Sequence, residues 1–260
     1  MRLPLLALLT GLLLAAGAVP ATAQADGYPI KNPRLTGNAL YASGALGPAA
    51  CPQRPVAPGD PVAARRYLRA VYGCLNAVWG THLRAAGLPF ERPGMAVATR
   101  APARFCGEPW EEAAGGYCNP QRRFLILLDK DVLDDPGDLW LLDVIAHEYA
   151  HHVQNVTGLR RAFESVPYRG ERELHEQTRR YELQAECLAG VFIGSVWSSL
   201  ERSEEDWEEL LAIVGDGGDE RHAVPDHGRG RTIVSWLKRG FTAADPGACN
   251  TWSAPARRVA

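Results

Sequence analysis

His147 and His151 stand four residues apart in the run His147-Glu148-Tyr149-Ala150-His151. On a helix this spacing puts both imidazoles on one face, about one turn apart, where they can ligate a single metal ion. Glu148 sits between them, where a carboxylate can reach a water held by that metal. This is the arrangement in which zinc lowers the pKa of water toward 7 and a base takes its proton. A catalytic zinc keeps three protein ligands and one open position, so a third donor is required. Glu182 and Glu186 are also four residues apart, and both can face the metal-bearing helix. One can bind the metal while the other orients a ligating His through its second ring nitrogen. The alternative for this pair is a solvated acidic face. Leu183, Cys187, Val191 and Phe192 argue against it, because they make the segment largely apolar and an unpartnered buried carboxylate is costly.

Other polar residues carry less chemistry. His152 points about 100° round the helix from His151 and reads as a structural hydrogen-bonding residue. His175 shares a face with Glu182 and reads as either a cleft or a surface residue, while His82 and His222 lack any partner pattern. His227, between Asp226 and Gly228, is a candidate donor to a developing oxyanion, with Tyr168 a weaker one; a structural loop histidine is the alternative. Asn155-Val156-Thr157 has the form of a glycosylation site but overlaps a helix end, so it reads as coincidence. Trp140 and Trp197 read as core residues.

The elements that must position these groups follow from caps and periodicity. Asp60-Pro61 supplies an N-cap and a Pro at the first helical position. Leu68, Val71, Leu75, Val78 and Trp79 then recur at helical spacing until Gly87. Two short extended runs follow, Met95 to Ala98 and Phe124 to Leu128. Asp135-Pro136 opens a second helix, with Asp138 placed to cap it, which carries the two histidines and stops at Gly158. A third helix runs from about Glu171 to Leu200, a fourth begins at Ser203 with Asp206 completing a capping box, and a fifth spans about Arg229 to Arg239. Few strands and many helices make the fold class α+β.

The chain has 260 residues, with 28 Lys plus Arg against 30 Asp plus Glu and no polybasic run, so it lacks the electrostatic footprint of a nucleic-acid partner. Met1-Arg2, an apolar run from Leu3 to Val19, and Ala21-Thr22-Ala23 read as a secretory signal peptide, so the product is expected outside the cytoplasm with no stable membrane partner after cleavage. The domain reading is therefore a signal peptide at 1–23, an irregular Pro/Gly-rich arm without a core at 24–60, and one domain at 61–260. All six cysteines lie beyond the leader, and an even number in an exported chain suggests three disulfides. Short closures favour Cys51 with Cys74 and Cys106 with Cys118, leaving Cys187 for Cys249; buried free thiols are the alternative.

His147 to Gln154, followed by Glu182-Leu183-Gln184-Ala185-Glu186-Cys187-Leu188-Ala189-Gly190, resembles the bacterial putative neutral zinc metallopeptidase family, a branch of the zincins. The resemblance runs from about Phe105 to Trp252. It takes in Tyr117-Cys118, Asp226-His227-Gly228 and the closing Ala248-Cys249-Asn250-Thr251. It implies a zincin-like α+β fold, a small sheet with an active-site helix plus a mainly helical C-terminal half. It further implies Zn2+ held by His147, His151 and Glu182, with Glu148 as general base. Glu186 stands where such proteins usually carry Asp, one methylene shorter. The strand around Phe124 to Leu128 is implied as the cleft's edge, holding a peptide or protein substrate by strand addition. The activity so implied is that of a secreted metalloendopeptidase. Hydrolysis of another amide, such as a cell-wall peptide crosslink, and a catalytically silent zinc-binding protein are the alternatives.

Overall fold

The computed structural model describes residues 30–110, 113–134, 137–221 and 224–260. The leader, the Asp135-Pro136 helix start and His222 lie outside them. The helices are α1 (Pro33–Thr36), α2 (Pro61–Ala85), α3 (Lys130–Asp134), α4 (Asp138–Val156), α5 (Leu159–Glu164), α6 (Glu171–Val196), α7 (Glu204–Asp216) and α8 (Gly230–Ala243). The strands are β1 (Gly94–Ala98), β2 (Arg104–Phe105), β3 (Glu108–Pro109), β4 (Gly115–Cys118) and β5 (Arg123–Leu127). The α+β class is as expected.

Local signals placed the long helices. Asp60 Oδ1 accepts from the backbone N–H of Val62 at 2.9 Å and Ala63 at 2.8 Å, and Leu68, Val71, Leu75 and Trp79 of α2 are buried. Ser203 and Asp206 form the reciprocal capping box of α7. Helix α4 begins at Asp138, with Gly137 preceding it, so its described start falls after the Asp135-Pro136 expected to open it.

Three of the five strands form one sheet, in the order β1-β5-β4, with β1 parallel and β4 antiparallel to β5. The expectation that the Phe124 to Leu128 strand forms the cleft's edge is therefore corrected. β5 is the central strand, buried from Phe124 to Leu127; the edges are β1 and β4, and β4 is the one beside Glu148. Its sequence Gly-Gly-Tyr-Cys has too little apolar alternation to announce a strand, and only pairing with β5 makes it one. Helix α4 packs against β4 and β5 of the sheet and against α6.

The 30–60 segment is not the coreless arm that its Pro and Gly content suggests. Leu35, Leu40, Leu46 and Cys51 are buried, and Leu46 N–H donates to Ala244 O at 2.7 Å and Ala49 N–H to Ser195 O at 2.9 Å. Asn32 and Asn38 cap the short helical turns that present Leu35 and Leu40. Turns this short leave no periodicity to read.

The disulfides are Cys51–Cys74, Cys106–Cys118 and Cys187–Cys249, the pairing that short closures favour. Three disulfides fit a non-cytoplasmic, oxidising compartment. Among the described residues no helix is long and apolar enough to cross a membrane.

Helix α6 crosses α8 at backbone contact. A Cβ on Gly190 would fall 2.3 Å from Leu237 O, and one on Gly240 1.9 Å from Cys187 O. Because backbone and not a flexible side chain is in the way, Gly240→Ala must push the helices apart. The expected cost is about 3 kcal/mol, the upper end for overpacking, read as a lower urea midpoint at an unchanged slope. A loss below about 0.5 kcal/mol would show that the contact is not this tight.

Candidate metal centre

Helix α4 presents His147 and His151 from adjacent turns, with ring centroids 4.8 Å apart and planes near perpendicular. Across the helix crossing, Glu182 of α6 puts Oε2 3.1 Å from His151 Nε2 and 3.4 Å from His147 Nε2. One ligand atom from each of the three side chains lies within 4.8 Å of the others.

The second ring nitrogens are occupied. His147 Nδ1 lies 2.9 Å from Glu186 Oε2, so it carries the hydrogen and donates it. His151 Nδ1 lies 2.8 Å from Gln154 Oε1. The amide nitrogen of Gln154 donates to Tyr181 O at 2.8 Å and Gln184 Oε1 at 3.0 Å, which leaves its oxygen to accept from His151. Tyr181 also stacks on the His151 ring at 4.9 Å. Both Nε2 lone pairs are thereby turned toward the Glu182 carboxylate.

Three lone-pair donors facing one another call for a positive charge between them. A tetrahedral zinc with bonds of about 2.0–2.1 Å has ligand–ligand edges of about 3.3 Å, and the two edges at Glu182 match that size. Nitrogen and carboxylate oxygen are also donors zinc accepts, so the residues fit the ion. Burial alone would raise the Glu182 carboxyl, yet the imidazoles of His151 and His147 hold it well below the usual range. Burial would lower His147, yet the carboxylates of Glu182 and Glu186 lift it well above the ordinary histidine value. A cation binding here takes the place of that proton.

Glu148 is 8% exposed, and its Oε2 has no hydrogen-bond partner. Burial raises its carboxyl, opposed by His151 and His147. It lines a cavity of about 430 Å3 with His147, Glu182, Glu186, Gly115, Trp140 and His227. Gly115 of β4 is why the carboxylate fits, since a Cβ there would stand 2.8 Å from Glu148 Cγ and Oε1.

His227 is half-exposed, with Nε2 3.9 Å from Glu182 Oε2. Its Nδ1 lies 2.7 Å from Asp226 Oδ1, and its backbone N–H donates to Asp219 Oδ1 at 3.0 Å. Against burial, the Asp226 hydrogen bond and the Glu182 charge push His227 up to about 9. Asp219, Asp226 and His227 are themselves clustered, but the Asp219 oxygens are taken by the N–H groups of His227 and Gly228.

The remaining candidates fall elsewhere. His152 is buried between Tyr117 Oη at 3.0 Å and Glu91 O at 2.7 Å, a structural residue as expected. Neither His175 nor Tyr168 lines the cavity, and His82 pairs with Ser43 Oγ at 2.8 Å. The Asn155 side chain donates to Tyr117 Oη and Asn119 O, in keeping with a structural role. Trp197 packs edge-on against Trp207 and Phe241, and Trp140, like Trp197 partly buried against the core, also forms a wall of the cavity. The sequence reading missed Gln154, Gly115, Asp219 and Asp143. Gln154 was detectable three residues after His151, and Asp143 four before His147, one turn away on the same face in each case.

An α+β fold that sets an HExxH helix against a second helix bearing a glutamate donor is a zincin-like scaffold. The chain belongs to the family described as "Putative neutral zinc metallopeptidase", whose model matches residues 49–252. The match begins well before Phe105 and takes in α2 and its disulfide. The uncharacterized protein YpfJ of Escherichia coli (strain K12) is 29% identical over 215 residues, covering 76% of this chain and 75% of its own. Uncharacterized proteins of Mycobacterium bovis and Mycobacterium tuberculosis (strain H37Rv) are each 28% identical over 209 residues, covering 69% of this chain and 68% of their own. No solved structure matches the chain.

Proposed function

We propose that the protein is a secreted zinc-dependent endopeptidase, with His147, His151 and Glu182 as the metal ligands, Glu148 as general base and Glu186 orienting His147. The observation that carries this reading is the convergence of three metal-type donors beside the buried carboxylate of Glu148, which lines a cavity and has no hydrogen-bond partner at Oε2. Zinc bound there supplies Lewis-acid polarisation of the scissile carbonyl and acidifies the attacking water.

Glu148 takes the proton of the attacking water and returns it to the leaving amine. Its burial raises the carboxyl toward the working pH, which suits a group that must both accept and give up a proton. His227, held protonated by Asp226, donates from Nε2 to the developing oxyanion. A substrate backbone would add to the edge of β4 that is unpaired among the described residues, next to Gly115 and Glu148.

Zinc quantitation and cleavage of a peptide library test the reading together. About one equivalent of zinc is expected, with cleavage abolished by a chelator and restored by zinc. Cleavage that continues after zinc has been stripped would overturn it. Including crosslinked cell-wall peptides in the panel separates protein cleavage from hydrolysis of that other amide.

Gly115→Ala is expected to displace the Glu148 carboxylate while the strand accepts the methyl group. Zinc content should hold while kcat/KM falls about 100-fold, the size of effect that a misplacement near 1 Å produces. Unchanged kcat/KM would show that Glu148 has room to move without loss.

A further inference from the structure

The cavity wall holds more carboxyl groups than the proposed chemistry uses. Asp143, Glu148, Glu182 and Glu186 all line it, and no Lys or Arg does so among the described residues. Glu182 and Glu148 have their roles, and Glu186 spends one oxygen on His147. That leaves Asp143, which is 5% exposed with no partner for Oδ1, and Glu186 Oε1, buried and equally unpartnered. A carboxylate oxygen buried without a hydrogen bond is costly, so a donor that reached these two from outside the chain would be held there.

A second metal ion does not answer this demand. The donor groups that close within 4.8 Å of one another among the described residues are His147 with His151 and Glu182, and Asp219 with Asp226 and His227; Asp143 is in neither. Apart from His147 and His227 the rest of the cavity is apolar, with Trp140, Val144, Ile213 and Ile233 on its walls, and Ile213 stays 41% exposed despite its aliphatic side chain. Apolar walls leading to a carboxylate floor match an aliphatic stem that ends in a cationic head. Asp143 lies four residues before His147, about 6 Å along α4, within reach of such a stem from a residue beside the bond being cut.

We propose that this cavity is a specificity pocket for a Lys or Arg side chain flanking the scissile bond, its charged head received by Asp143 and Glu186 Oε1. The proposal rests on the peptidase reading, and its test separates the two. Zinc-loaded protein is given N-acetylated quenched peptides that differ only by Arg against citrulline, or Lys against norleucine, at each position flanking the cut.

At one position kcat/KM should favour the basic residue by about 10- to 100-fold, the scale of a hydrogen bond to a charged partner, and Asp143→Asn should bring the ratio to within about threefold of unity. Asp143→Ser serves the same purpose if the amide variant does not fold. Binding of the same peptide pairs to zinc-loaded Glu148→Gln protein, followed by anisotropy, gives a readout independent of turnover.

A binding preference for the basic peptide without any cleavage would uphold the pocket and remove the peptidase reading. Cleavage without a basic preference, or a preference that survives Asp143→Asn, would overturn the pocket and leave the peptidase reading standing. Unacetylated copies of the same peptides are the control, and a preference that follows the free α-amine instead of the side chain would also overturn it.

Discussion

Replacing Glu148 with Gln is expected to lower kcat/KM by about 10^2- to 10^4-fold, the range of a lost general base, while zinc stays near one equivalent. The two outcomes separate because Glu148 is not among the three converging donors. Glutamine fills the same volume, so neither the cavity nor the Gly115 contact is disturbed. Its amide cannot accept the proton of the attacking water. Stability should not suffer, because a buried carboxylate raised by desolvation is exchanged for a neutral group. The measurement pairs steady-state kinetics with metal analysis on the same sample. Turnover within a few fold of the parent would remove Glu148 from the role of base.

The second large effect divides Glu182 from Glu186. Both carboxylates touch His147, but Glu182 Oε2 meets the Nε2 atoms of both histidines while Glu186 Oε2 meets only Nδ1 of one. Glu186→Gln keeps an acceptor for Nδ1–H and should weaken zinc binding by about 10- to 100-fold, the usual cost of disturbing a group behind a ligand. Glu182→Gln removes the anionic donor itself and should cost more than that, leaving the purified protein short of one equivalent. Competition against a chelator of known affinity reads both. Added zinc at about 100 times the dissociation constant should stabilise the parent by about 2.7 kcal/mol, and Glu182→Gln protein much less at the same concentration. A larger loss in Glu186→Gln than in Glu182→Gln would exchange the two roles.

The centre was legible in sequence to the extent that it is made of helix periodicity. Two histidines one turn apart must share a face, and Glu182 and Glu186 must share another, whatever the rest of the chain does. Gln154 and Asp143 obey the same rule and went unread because neither belongs to a ligand pattern. Gly115 and the edge position of β4 could not be read at all. A four-residue strand with two glycines has no local preference to display, and its place follows from pairing with β5. The 30–60 segment misled for a related reason: its buried leucines sit in turns too short to show a period, and their burial depends on the distant ends of α6 and α8.

By itself the sequence determined the long helices, the caps of α2 and α7, the His147, Glu148 and His151 face, the even set of cysteines and the pair of glutamates from which the third donor comes, because each rests on neighbours within a turn or two. Tertiary structure alone decided that Glu182 faces both Nε2 atoms while Glu186 takes Nδ1. It also decided which strand borders Glu148, and that Asp143 and Glu186 leave carboxylate oxygens unpaired in an apolar cavity. Those outcomes depend on the angle and distance at which α4 meets α6 and α7, and α6 meets α8. These are fixed by packed volumes and by backbone contact at Gly190 and Gly240, summed over residues far apart in the chain.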